Sequence, residues 1–316
     1  MTIMSRAALL SIFAAAVVTA APSQQNPQTF RSGTTDVLVD VSVERKNAPV
    51  TGLTAEDFQV IDDGTPQAIA LADSTSMPVD VSLLFDRGYF ASQRIGHQFG
   101  KDIASMAGML HQDDRVQVVT FATAVSQIVP MMSARDLPPL PDETLWKTGR
   151  TYWDGLHDPM LKASLSDALL FAAARPVDVS RRHMVVAFSG SLDGGSVLKF
   201  DQGLGTALLR SGALVVLAMW DGWGASVALP DGLSPLSQVT FLHQVLTDAA
   251  EATGGEVRSA SDGVKAFKEI LSSFRQRYLL HFTPKDMDKK GWHELSVRVP
   301  KRRDVQVRAR RGYFVN

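Results

Sequence analysis

Short apolar runs punctuate the chain, and their period changes twice. Between residues 36 and 44, Val37, Val39, Val41 and Val43 occupy every second position, which predicts a strand buried on one face. Residues 57–62 predict another strand, closed by the turn signal Asp63-Gly64 ahead of a further strand over 67–71. From Val79 the alternation gives way to a near-continuous run of Val79, Val81, Leu83, Leu84 and Phe85, ending on Asp86 and Gly88. Such a run reads as a strand buried on both faces, the usual state at the centre of a parallel sheet. A carboxylate just past its end lies where open α/β sheets bind ligands.

The spacing then turns helical over 93–111, with Ile95, Phe99, Ile103, Met106 and Leu110 on one face. Strands at 115–121, 184–188 and 213–219 alternate with helices at 164–174, 201–210, 237–253 and 264–274, and 125–129 adds a short edge strand. Gly254-Gly255 marks a helix end. The tail returns to period two, with strands at 278–282, 293–299 and 305–309, the first two joined by the charged turn 285–291. Antiparallel strands thus bracket a strand–helix core. A compact solution packs residues 36–76 with 276–316 as a small β-domain beside an α/β domain over 77–275.

Composition narrows the chemistry. Hydrophobic residues make up 45% of the 316 positions and charged residues 21%, a globular balance. The net charge of -1 provides no basic field for nucleic acid. Cysteine is absent, which excludes disulfides, thiolate zinc sites and cysteine nucleophiles. Arg6 precedes an apolar stretch over 7–18, and Val18-Thr19-Ala20 offers small residues for cleavage. Residues 1–21 therefore read as a secretory signal peptide and 22–35, rich in Ser, Gln, Pro and Thr, as a linker. A secreted or periplasmic protein, with no membrane span after cleavage, is expected.

No enzymatic motif emerges. Ser189-Gly190-Ser191 lacks the flanking glycines of a nucleophile elbow, and His293-Glu294 has no second ligand at metalloprotease spacing. No phosphate-cradling glycine loop follows a strand. His243 reads as a surface or partly buried histidine, and the basic residues Lys301, Arg302, Arg303, Arg308, Arg310 and Arg311 as a solvated face of the last strands.

Several stretches carry a resemblance. They are Pro49-Val50-Thr51-Gly52-Leu53-Thr54-Ala55-Glu56-Asp57-Phe58, Asp63-Gly64-Thr65-Pro66-Gln67, Leu83-Leu84-Phe85-Asp86, Asp114-Arg115-Val116 with Thr120-Phe121, and Leu165-Ser166-Asp167-Ala168-Leu169. Arg277-Tyr278-Leu279-Leu280 and Arg310-Arg311-Gly312-Tyr313-Phe314 complete the set. In this order they resemble the von Willebrand factor type A domain, and more narrowly the secreted VWFA-related proteins of the acidobacterial type. The resemblance implies an α/β fold with a doubly wound, mostly parallel sheet. It also implies a metal-ion-dependent adhesion site built from Asp-x-Ser-x-Ser, a Thr from a later loop and an Asp after the fourth strand. Here only the first Asp is kept, as Asp86; the serines fall on Gly88 and Phe90, the Thr on Ala163 and the second Asp on Ser189. One carboxylate and one hydroxyl make a poor magnesium site. Asp86 and Ser189 are therefore read as vestigial, Asp86 accepting bonds from loop amides, and no cofactor is expected. Magnesium would need substitute ligands, for which Thr151, Asp154 and Asp193 are the candidates.

The same edge carries aromatics in loops: Tyr89, Phe90, Trp146, Tyr152, Trp153, Trp220 and Trp223. Trp and Tyr concentrate where interfaces have their strongest contacts. Tyr89, Phe90, Tyr152, Trp153, Trp220 and Trp223 are thus candidates to bind a protein or glycan partner without a metal; the bland alternative is that the rings pack on one another and cap the sheet. The expected function is a secreted, non-enzymatic interaction module with a degenerate metal site. The alternatives are a structural component of envelope assembly, and a metal-dependent adhesin with a rebuilt site.

Overall fold

The computed structural model describes residues 36–315, apart from 47, 73–76, 93–98, 142–162, 175–177, 179, 191–192, 194–195, 197–202, 221–234 and 286–288. The expected signal peptide and linker lie outside the described residues, as do Trp146, Thr151, Tyr152, Trp153, Asp154 and Trp223.

The alternating valines build the first strand, β1 (Val37–Arg45), with all four side chains buried. It is followed by β2 (Ala48–Pro49), β3 (Gln59–Asp62), β4 (Thr65–Gln67) and β5 (Ala70–Ala72). The β3–β4 turn places Asp63 at φ 46° and Gly64 at φ 81°. Positive φ at both central residues is what an Asp-Gly hairpin turn requires. The strand expected over 67–71 is two short pieces instead.

The continuous apolar run forms β6 (Val79–Asp86), buried at every residue. A short helix, α1 (Arg87–Ser92), follows directly where the sequence predicted a loop. Then come α2 (Phe99–Ala107), β7 (Arg115–Phe121) and β8 (Val125–Ser133), the last longer than expected. The chain continues through α3 (Leu165–Ala173), β9 (Arg182–Ser189), α4 (Gly203–Ser211), β10 (Leu214–Trp220), α5 (Pro235–Ala252), β11 (Glu256–Ala260) and α6 (Gly263–Arg275). The sequence reading missed β11, whose pattern Glu-Val-Arg-Ser-Ala is too polar to announce a strand.

These strands form one sheet in the order β11-β10-β9-β6-β7-β8. Every pair is parallel except β7–β8 at the edge. Ile103 and Met106 of α2 and Phe267, Ile270 and Phe274 of α6 pack with Val81, Leu83 and Phe85. Leu165 and Leu169 of α3, Leu208 of α4 and Leu246 of α5 pack with Leu84, Val185 and Leu217. Successive side chains of a strand point to opposite faces, so helices cover both. Each fully buried Leu or Phe contributes roughly 1.5–3 kcal/mol.

The tail supplies β12 (Tyr278–Phe282), β13 (Gly291–Arg298), β14 (Gln306–Arg308) and β15 (Gly312–Val315). β12 and β13, joined by the charged turn, enter different sheets. One runs β14-β1-β12-β5 with β2 on β1, the other β15-β13-β3-β4. In both, strands from the two chain ends pair antiparallel. Val39, Val41, Val60, Leu280 and Leu295 share one apolar cluster between them. All described residues fall in one compact unit, Thr34–Asn316.

The basic tail is only partly the solvated face expected of it. Lys301, Arg302, Arg303 and Arg311 are exposed, but Arg308 and Arg310 are half-buried. Arg308 bridges Glu44 and Glu256, and Arg310 donates to the carbonyls of Gly312 and Leu209. Arg308 thus ties the last strands to β11 of the central sheet and Arg310 ties them to α4; burial pushes the Arg310 guanidinium down to about 10. Among the described residues no helix is long and apolar enough to cross a membrane.

Candidate functional site at the C-terminal edge of the central sheet

Asp86 ends β6 and Ser189 ends the neighbouring β9, so the parallel register brings the two together. Asp86 has no exposed surface. Its Oδ2 accepts from the Ser189 hydroxyl at 2.7 Å and its Oδ1 from the Tyr89 amide at 3.0 Å. The carboxylate is thus held by a hydroxyl and a backbone N–H.

Tyr89 and Phe90 correct the sequence reading. They stand on α1 rather than in a loop, 8% and 0% exposed respectively. Phe90 meets the rings of Tyr89, Phe99 and Trp220 edge-on at centroid distances of 5.4, 4.9 and 4.7 Å. The Tyr89 ring covers Gly190 so closely that a Cβ there would lie 2.3 Å from it. In this arrangement neither ring is presented to a partner. A helical turn after β6 folds both inward, where burying two large rings outweighs any surface role. Trp220 remains half-buried, at the end of β10.

Asp193 was considered only as a substitute metal ligand, yet it is 1% exposed and has a structural partner set. It accepts from the Ser166 amide in the first turn of α3 at 3.0 Å and from the Ser196 hydroxyl at 2.5 Å. It therefore satisfies an N–H that the helix start leaves without an intrahelical acceptor. Burial raises its carboxyl above the ordinary range, and the bonds from Ser166 and Ser196 only partly offset this.

Arg87, the first residue of α1, escaped the sequence reading altogether. It is 8% exposed, and its Nη1 is buried with no hydrogen-bond partner. Burial pulls its guanidinium below the usual range. No sequence signal separates it from a solvated charge after a strand.

Two further clusters lie elsewhere. Asp62, Asp63 and His293 hold carboxylate and imidazole atoms within 4.8 Å of one another. The second partner that His293 lacked in sequence thus comes from another strand. His293 Nδ1 lies 3.1 Å from Asp62 Oδ1 and 3.2 Å from Asp63 Oδ2, and Nε2 lies 2.9 Å from the Lys289 carbonyl oxygen. Lys289 Nζ sits 2.5 Å from the same Asp63 oxygen, and Tyr313 donates to Asp62 at 2.7 Å. With Lys289 already on that oxygen, the cluster fastens β3 to β13 and β15. Ser82 Oγ lies 3.1 Å from His183 Nε2, but Ser82 has no exposed surface and also accepts from Gln117. Its hydroxyl is thus engaged by two side chains within the sheet. His243 is exposed, beside Thr247.

No protein-family model matches the sequence, and no curated protein sequence matches it. Solved structures do. The chain is similar to von Willebrand factor type A proteins. One is a von Willebrand factor type A protein from Catenulispora acidiphila, with 12% identity, a TM-score of 0.44 and coverage of 78% of this chain and 52% of that one. The chain thus spans about half the length of that protein. A second is the conserved hypothetical protein BatB from Bacteroides thetaiotaomicron, with 12% identity, a TM-score of 0.39 and coverage of 63% and 97%. A third is proximal thread matrix protein 1 from the mussel byssus, solved with a zinc-occupied MIDAS motif, with 11% identity, a TM-score of 0.42 and coverage of 67% and 49%.

Proposed function

We propose that this chain is a secreted, non-enzymatic interaction module. Its core is a doubly wound, von Willebrand factor type A sheet flanked by a small β-domain, and its adhesion-type metal site is degenerate. One observation carries this reading: both oxygens of the fully buried Asp86 accept hydrogen bonds from the chain itself, beside a phenylalanine sealed in the core. A six-oxygen magnesium shell does not fit there. Gly88 offers no side-chain oxygen, Phe90 fills its position with a ring, and Asp193 is committed to α3. Partner recognition would fall to this edge, where Trp220 ends β10; Tyr152, Trp153 and Trp223 are the further candidates from the sequence. The partner is a protein or a glycan.

A second reading, a component of envelope assembly, is favoured by Trp292. It stands 37% exposed on β13 and packs against Phe314 of β15 at 5.1 Å. The test for the first reading is capture of proteins from the secreted fraction of the source cells by the immobilised mature chain, run in EDTA and in magnesium. The same set should be retained in both. Retention only with magnesium overturns the metal-free reading, and no retention in either overturns the interaction reading.

A further inference from the structure

Among the described residues, buried arginines are answered by oxygens, with Arg87 the exception. Arg182 pairs with Asp40 and donates to the Phe274 carbonyl; Arg277 donates to the carbonyls of Gly254 and Arg308. Arg87 has neither: among the described residues no hydrogen bond or ion pair answers its charge, and its Nη1 is sealed from solvent. A guanidinium stays charged inside a protein. A buried charge without a partner costs several kcal/mol, so its retention calls for an external counter-ion.

A second orphan stands on the neighbouring strand. Thr120 is 2% exposed, and its Oγ1 is buried with no partner. It stands across from Phe85 in the β6–β7 register, two residues before Arg87, and α1 packs on β7. Two unanswered donors therefore stand at adjacent strand ends, a guanidinium fork and a hydroxyl. An anion satisfies both, whereas a cation satisfies neither. The ligand's charge is limited as well. Asp86 ends the same strand, so a dianion would be repelled where a single negative charge is balanced by Arg87.

We propose that Arg87, with Thr120, forms an anion-binding site at the C-terminal edge of the central sheet, and that it takes a singly charged carboxylate. This rests on the reading of that edge as a recognition surface and supplies its chemistry.

The test is the unfolding temperature of the mature chain in sodium acetate, sodium chloride and sodium phosphate at matched ionic strength. Acetate at about ten times its dissociation constant should raise the midpoint by roughly 3 °C over chloride. Arg87→Met should melt higher than wild type in chloride and lose the acetate effect. Thr120→Val, which removes only a hydroxyl, should keep the fold and at least halve the effect. Coincident acetate and chloride melts for wild type, or an undiminished acetate effect in either variant, overturn the proposal. If Arg87→Met does not fold, Thr120→Val decides alone. A phosphate shift larger than that of acetate overturns the carboxylate assignment. No partner protein is present in these melts, so their failure leaves the capture experiment to decide the recognition reading separately.

Discussion

The two ends of the six-stranded sheet handle charge in opposite ways. At the end where β6, β7 and β9 begin, charges come in pairs. Asp80 takes Arg115 Nη2 and Arg181 Nε, each at 2.5 Å. Asp114 takes Arg275 at 2.7 Å and the amides of Val79 and His111. Arg182 joins Asp40 and lies 3.8 Å over the Phe274 ring. Where the same strands end, Asp86 and Asp193 are held by hydroxyls and amides, and Arg87 has no counter-charge. The first end is closed on itself, as a structural seam should be. The second leaves charge unanswered at the edge where open α/β sheets bind ligands, which is the mark of an end that waits for something.

The titration of the two ends separates them further. Burial alone would raise the Asp80 carboxyl, but the bonds and charges of Arg115 and Arg181 outweigh it and hold it below the ordinary range. Its contribution is therefore present above about pH 4 and is lost as pH falls through its lowered value. Asp193 is raised by burial, so its contribution is present below about pH 4 and is lost as pH rises through its raised value.

The largest expected effect tests whether the aromatic part of the ligand edge is core. Phe90→Ala should destabilise by about 3–4 kcal/mol in chemical denaturation, because it opens a cavity among Tyr89, Phe99 and Trp220. A loss under about 0.5 kcal/mol would return Phe90 to the surface. Next, Asp80→Ala should cost about 2 kcal/mol at pH 7, discounted because Arg115 is a third exposed, and should flatten the acid side of the stability profile. An unchanged acid limb would dissolve the contrast between the two ends. Ser189→Ala should cost about 1.5 kcal/mol by removing the hydroxyl bond to Asp86. The smallest effect belongs to Asp193→Asn, which should weaken the decline in stability that sets in as pH rises above about pH 4; denaturation midpoints measured upward from pH 4 would show an unchanged decline if Asp193 were paired like Asp80.

Much of this was legible before any coordinates. Val79 to Phe85 announced the central strand, because burial on both faces demands an unbroken apolar run. Val37 to Val43 announced β1, because one wet face demands alternation. Counting along the resemblance placed Asp86 beside Ser189. Other features were hidden. The helix α1 was hidden because Asp86, whose carboxylate accepts the Tyr89 amide in its first turn, was read only as the end of a strand, and with it went the burial of Tyr89 and Phe90. The partners of His293 were hidden because Asp62 and Asp63 lie over two hundred residues away in sequence and only meet it through the β3–β13 pairing. Arg87 was hidden because a lone arginine after a strand reads as a solvated charge, and only burial distinguishes it from one.

The most direct measurement of the central claim is a thermal melt of the mature chain in EDTA and then in excess magnesium, manganese or calcium. An ion that binds only the folded state stabilises it by about 2.7 kcal/mol at a hundredfold excess over its dissociation constant. Coincident melts are expected, because Asp86 spends its oxygens on Ser189 and Tyr89. A rise with any of these ions that disappears in Asp86→Asn would mean that the edge binds metal after all.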